Sequence, residues 1–119
     1  MWRYLERPWQ IAFEMAWDAY KNGSIPIGAV IVDAEGDIVS AGRNRRFDKD
    51  SSTPLVGTNM AHAEMDALFV LKEKEHPDIK SYILYSTMEP CPMCFGTAVM
   101  MNIRHIFLQQ GIALQEPLH

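Results

Sequence analysis

The spacing of apolar residues changes from segment to segment along this chain. Trp9, Ala12, Phe13, Ala16 and Tyr20 recur every three or four positions, which predicts an amphipathic helix after Pro8 with its aromatic stripe in the core and Gly23 ending it. Residues 27–32 are a nearly unbroken β-branched run. Ala34-Glu35-Gly36-Asp37 then supplies a turn and residues 38–42 a second strand, so the stretch reads as a β-hairpin. Residues 45–59 are polar, include Pro54 and Gly57 and keep no period, which predicts a long loop of the kind that commonly carries function. Helical spacing returns through Met65, Leu68 and Phe69, predicting a helix over 61–74 that Pro77 stops before a strand over 81–87. A third helix over 94–101 and a strand over 103–108 follow, and residues 109–119 form a weakly specified tail.

Strands buried along their length and alternating with helices imply an α/β fold, a sheet covered on both faces. With 119 residues, 48% hydrophobic and 22% charged, the chain reads as one ordinary globular domain over 1–119, free of repeats and low-complexity segments. No apolar run has the length needed to cross a bilayer, and Met1 to Glu6 has no secretory character, so a cytoplasmic protein is expected. Both cysteines fall inside one motif, which leaves no disulfide framework and fits a reducing compartment.

A net charge of −4 counts against avid binding of a polynucleotide, whose electrostatic footprint on a protein is basic. The one local basic cluster, Arg43-Asn44-Arg45-Arg46, is open between a solvated loop and contact with a substrate phosphate. Asn44 within it is a turn former or a base contact. His76, His105 and His119 read as structural or solvated.

The chemistry concentrates in His62-Ala63-Glu64 and, one strand later, Pro90-Cys91-Pro92-Met93-Cys94. Taken singly, these residues have plain readings. A C-x-x-C can be a redox pair, a histidine a core residue, and a glutamate at a helix start a surface carboxylate favoured by the dipole. A metalloprotease is excluded because two histidines at i and i+4 around a glutamate are missing. Together, His62, Cys91 and Cys94 supply one nitrogen and two sulfurs to zinc, and the fourth tetrahedral position stays open, as in catalytic sites. Both halves start helices, where free N–H groups favour anions. Pro92 suits the first helical position, and Cys91 and Cys94, three apart, share a face. Side chains lean toward a helix N-terminus, so His62 and Glu64 can project into one pocket. Zinc there activates water at neutral pH, and Glu64, off the metal, is expected to carry the proton from water to a ring nitrogen and then to departing ammonia.

H-x-E followed by P-C-x-x-C is the known signature of zinc-dependent deaminases. On these residues, and on Ile25-Pro26-Ile27-Gly28-Ala29-Val30 and Gly42-Arg43-Asn44, the chain over roughly 25–108 resembles the cytidine deaminase superfamily. The likeness is to its His/Cys/Cys branch of guanine, deoxycytidylate and tRNA adenosine deaminases. The resemblance implies a three-layer α/β/α fold with a mixed central sheet, shortened at the C-terminus, and Zn2+ as cofactor. It further implies that Asn44 bonds the target base, that Pro26 and Ile27 line the pocket and that Ala63 offers its N–H. Ser86, Thr87 and Glu89 would border the leaving ammonia. Relatives often pair, so a homodimer is expected. The long loop, larger than in the tRNA enzymes, is expected to cover the site.

The leading expectation is hydrolytic deamination of a free nucleobase or nucleoside. The main rival is a polynucleotide deaminase using Arg43, Arg45, Arg46 and Phe47 for backbone and stacking contacts. A deoxynucleotide monophosphate deaminase with the same arginines on phosphate, and an inactive zinc scaffold, are further alternatives. Cytosine, adenine and guanine all offer an amidine-like carbon, so base identity stays open.

Overall fold

Every position of strand β1 (Gly28–Val32) is buried, which makes it the centre of the sheet. Its side chains alternate between two cores. Ala29 and Ile31 join Leu84 and the helices that carry Ala63, Leu68 and Ala98, whereas Val30 and Val32 join Trp9, Ala12 and Tyr85 on the opposite face. The computed structural model describes residues 6–49 and 52–108.

In chain order the elements are α1 (Arg7–Lys21), β1, β2 (Ile38–Arg43), α2 (Ala63–Leu68), short 3-10 turns at Glu73–Glu75 and Ile79–Ser81, β3 (Ile83–Ser86), α3 (Pro92–Met100) and β4 (His105–Leu108). The sheet order is β2-β1-β3-β4. β1 pairs antiparallel with β2 and β3, and β3 pairs parallel with β4 across the α3 crossover, so the sheet is mixed. With α1 on one face and α2 and α3 on the other, the three-layer α/β/α architecture is present. No helix among the described residues is long and apolar enough to cross a membrane.

Two glycines set how closely the helices approach. A Cβ at Gly28 would strike the Ala12 carbonyl of α1, and one at Gly42 would strike the backbone of Ala63 and Ala67 in α2. Gly42 therefore lets α2 lie directly on β2, beside Arg43 and Asn44.

Several boundaries differ from expectation. The predicted helix over 61–74 is only Ala63–Leu68. Beyond Leu71, the Lys72-Glu73-Lys74-Glu75 run has no apolar anchor to hold a helix on the sheet, and a 3-10 turn replaces it. Phe69 is consequently exposed. The strands expected over 81–87 and 103–108 contract to Ile83–Ser86 and His105–Leu108, and the third helix starts earlier, at Pro92. On α1 the core stripe is Trp9, Ala12, Ala16 and Ala19, while Tyr20, expected in the core, stacks on Trp17 at the surface. His76 is structural, its Nδ1 lying 2.9 Å from the Tyr82 hydroxyl, and His105 is exposed on β4. The tail over 109–119, with His119, lies outside the described residues.

Candidate active site

Three strand ends meet at one edge of the sheet. β2 ends at Arg43, opposite Gly28 at the start of β1, and β3 ends at Ser86, opposite Ala29. Ile27, Asn44 and Thr87 are the next residues out, and they are tied together. The Asn44 N–H donates to the Ile27 carbonyl (3.1 Å), the Thr87 N–H to the Gly28 carbonyl (3.0 Å) and the Gly28 N–H to Thr87 Oγ1 (3.1 Å).

Both helices on the inner face begin here. His62 caps α2 and Cys91 caps α3, each in extended backbone, and Pro92 opens α3, where its missing N–H costs nothing. His62 Nδ1 lies 3.5 Å from Cys91 Sγ and 3.5 Å from Cys94 Sγ, and the two sulfurs are 3.6 Å apart. Both cysteines are free thiols. Tetrahedral zinc with Zn–N of about 2.05 Å and Zn–S of about 2.3 Å places N and S about 3.6 Å apart and S and S about 3.8 Å apart. The donor set fits zinc in number, type and spacing.

The electrostatics agree. Burial pushes the Cys94 thiol up, and the charge of nearby Glu64 pushes it further, so the surroundings favour the neutral thiol and a bound cation would be what stabilises the thiolate.

Glu64, in the first turn of α2, is 3% exposed. Its Oε2 accepts a hydrogen bond from Ser86 Oγ at 2.7 Å. The Ser86 hydroxyl also lies 2.6 Å from the Met88 carbonyl, so its single hydrogen has two acceptors within reach. Glu64 is thus a buried carboxylate next to the metal donors and held by a partner of its own.

The remaining predicted residues divide. Asn44 is 2% exposed, and its Oδ1 accepts from the Arg46 N–H at 2.9 Å. Ala63, buried, opens α2, where N–H groups have no partner within the helix. Ile27 is partly buried at the sheet edge, Pro26 is exposed next to it, and Glu89 is exposed on the loop before Cys91.

The basic cluster does not point to solvent as a set. Arg43 is buried and grips Asp48 with both terminal nitrogens, at 3.0 and 2.7 Å. Arg45 donates from Nε to Asp66 Oδ2 at 2.9 Å and lies 3.7 Å from Asp48. Burial alone would raise the Asp48 carboxyl, but hydrogen bonds from Arg43 and Ser24, with the charges of Arg43 and Arg45, outweigh it and hold it below the usual range. Two acids within the fold thus pair with Arg43 and Arg45, the arginines expected on a substrate phosphate. Arg46 lies 4.9 Å over the ring of Phe47, which is 54% exposed. Asp66 and Ser24 carried no motif signal, because nothing in their local sequence announces partners more than twenty residues away, and Asp48, five residues from Arg43, reads only as part of the polar loop.

The chain matches the family described as "Cytidine and deoxycytidylate deaminase zinc-binding region" over residues 3–110. It belongs to that family. Cytosine deaminase of Candida albicans is 27% identical over 103 residues, covering 87% of this chain and 64% of the relative. The tRNA-specific adenosine deaminase of Buchnera aphidicola is 34% identical over 102 residues, covering 82% and 60%. This family member therefore spans about three-fifths of the length of these curated relatives. Among solved structures, the guanine deaminase of Bacillus subtilis superposes with a TM-score of 0.65 at 25% identity, covering 92% of this chain and 70% of that one. A tRNA:A34 deaminase that edits A to I at the wobble position superposes at 0.69 with 25% identity, covering 85% and 72%. The fold is cytidine deaminase-like.

Proposed function

We propose that this protein is a zinc-dependent hydrolytic deaminase of a free nucleobase or nucleoside. The observation that carries the reading is Glu64, buried beside the three metal donors and bonded to Ser86. His62, Cys91 and Cys94 would hold the zinc, which when bound supplies Lewis-acid activation of water at neutral pH. Glu64 takes a proton from that water and delivers it to a ring nitrogen. As it does so the water oxygen bonds to the ring carbon, and Glu64 then takes the second proton from the added hydroxyl and passes it to the amino group, so that the C–N bond breaks, the new C–O bond stays and ammonia leaves. Ser86 steadies Glu64 throughout. It donates to the carboxylate, and turns to the Met88 carbonyl when Glu64 carries the proton. Asn44 and the Ala63 N–H orient the ring, Ile27 and Pro26 flank it, and Thr87 and Glu89 border the departing ammonia.

A small substrate is favoured because the chain is acidic and two of the three arginines suited to a phosphate backbone are paired internally. The same pairing argues against a nucleoside monophosphate. A polynucleotide substrate is the second reading, on the strength of exposed Phe47 under Arg46 and of the tRNA-acting relatives. We also infer a homodimer, supported by the apolar residues Phe95, Val99 and Met100 exposed on α3, and a cytoplasmic setting, supported by the two free thiols the metal requires.

Ammonia release from zinc-loaded protein, measured on bases, nucleosides, monophosphates and a short tRNA stem-loop, tests this. Turnover of a base or nucleoside that Glu64→Ala abolishes is the expected result. Turnover of the stem-loop alone, falling steeply with salt, would replace it with the second reading, and no turnover of any would overturn both.

A further inference from the structure

Asn44 sits in a stretch where every backbone N–H from Arg43 to Phe47 has an acceptor. Arg43 N–H donates to Asp66 Oδ2 (3.0 Å), Asn44 N–H to Ile27 O (3.1 Å), Arg45 N–H to Ala61 O (2.9 Å), Arg46 N–H to Asn44 Oδ1 (2.9 Å) and Phe47 N–H to Ser24 Oγ (3.0 Å). Loop backbone is ordinarily left to solvent. Here it is clamped as it leaves β2.

One atom stands out among these acceptors. Asp66 Oδ2 receives the Arg43 N–H and also the Arg45 Nε, so a single carboxylate oxygen holds both chain neighbours of Asn44. Asp66 belongs to α2, the same short helix that presents His62 and Glu64. Its side chain is a direct strut between the helix with the metal ligand and acid, and the strand end with the carboxamide. A backbone N–H can only donate, so the oxygen end of the Asn44 carboxamide faces Arg46 and the NH2 end is turned elsewhere.

We propose that Asp66 is a positioning residue for substrate: it fixes Asn44 against α2, so that the carboxamide and the Glu64 carboxylate keep one separation. This rests on the reading that Asn44 binds the base. The zinc motif itself does not require it, since among the described residues the Asp66 side chain bonds Arg43 and Arg45 and none of the metal donors. Arg43 also bonds Asp48 through both terminal nitrogens and Arg45 lies 3.7 Å from Asp48, so each arginine has an acidic partner besides Asp66.

The test uses zinc-loaded full-length protein and two variants, Asp66→Asn, which keeps a carbonyl oxygen for Arg43 but loses the charge facing Arg45, and Asp66→Ala, which loses both. Hydrogen exchange at the Arg46 amide reports Asn44 directly, because its acceptor is the Asn44 oxygen. Exchange there is expected to rise about tenfold or more in Asp66→Ala, and less in Asp66→Asn, while the core amide of Leu84 and the zinc content stay unchanged. Unchanged Arg46 exchange would overturn the proposal whether or not any substrate is turned over. On the best substrate of the panel, KM should rise about tenfold with kcat within about threefold. Adding Asp66→Ala to Asn44→Ala should change KM no further. An equal KM penalty in both backgrounds, or a fall in kcat alone, would mean that Asp66 does not act through Asn44. Should Asp66→Ala not fold, Asp66→Asn carries the same readouts. Failure of the whole panel would count against the deaminase reading and leave the exchange result to decide this one.

Discussion

Ser86 Oγ and Glu64 Oε2 lie 2.7 Å apart, both buried, joining the end of β3 to the first turn of α2. Replacing Ser86 with Ala leaves a carboxylate oxygen without its donor. A buried hydrogen bond to a charged group contributes about 1.5–3 kcal/mol. Ser86→Ala is therefore expected to lower kcat about ten- to a hundredfold with zinc retained, measured by turnover and metal analysis on the same sample. Unchanged kcat would show that Glu64 needs no such partner.

The metal donors and the acid should separate cleanly. Glu64→Ala is expected to keep one zinc per chain and lose nearly all turnover. Cys91→Ala and Cys94→Ala should lose the metal, since each removes one of the three donors. Metal analysis of purified variants checks this, and a zinc-free Glu64→Ala would place that carboxylate among the ligands.

Alkaline pH should weaken the metal-free protein. Burial, then the Glu64 charge, pushes the Cys94 thiol up. Burial also raises Tyr82, helped by Asp33, Asp78 and Glu35, and Tyr85, helped by Glu6. In each case the folded state holds the neutral form after the unfolded chain has released its proton. Their contribution is thus fully present below the unfolded values of about 8.5 to 10 and is lost as pH rises beyond them. Melting temperature after chelation, followed from pH 7 to 11, should be level at first and then fall. A Tm that climbs above pH 9 would contradict this.

Gly42→Ala should be severe for a residue so small. Its new methyl group meets backbone of Ala63 and Ala67, which cannot yield by changing a rotamer. Overpacking of this kind costs about 1–3 kcal/mol, a fall in Tm of about 5–20 °C for a domain of this size. Because α2 is the element displaced, zinc affinity should fall as well. Thermal melts with and without metal separate the two effects.

Residues with local signatures were readable in advance. The unbroken run of β1, the turn at Gly36, and the cap positions of His62 and Cys91 follow from spacing and from the chemistry of helix starts. Element ends were harder, as the overlong helix over 61–74 illustrates: Leu68 and Leu71 keep helical spacing, yet the chain between Leu71 and Ile79 turns twice to bury both it and Ile79. What stayed illegible was tertiary and polar. The basic cluster looked like a surface feature because one counter-charge, Asp66, becomes its neighbour only once β2 and α2 are stacked, and because the short spacing from Arg43 to Asp48 does not reveal that the pair is buried.

With only six residues, α2 makes fewer than two turns. Cap, acid and strut are packed into that length at about 100° per residue, so they share one rigid-body coordinate. A small rotation about the axis would move all three at once, in different directions. Displacement of the helix as a body is accordingly expected to cost metal, acid and carboxamide placement together, whereas removal of a single side chain, as in Asp66→Ala, touches only one of them.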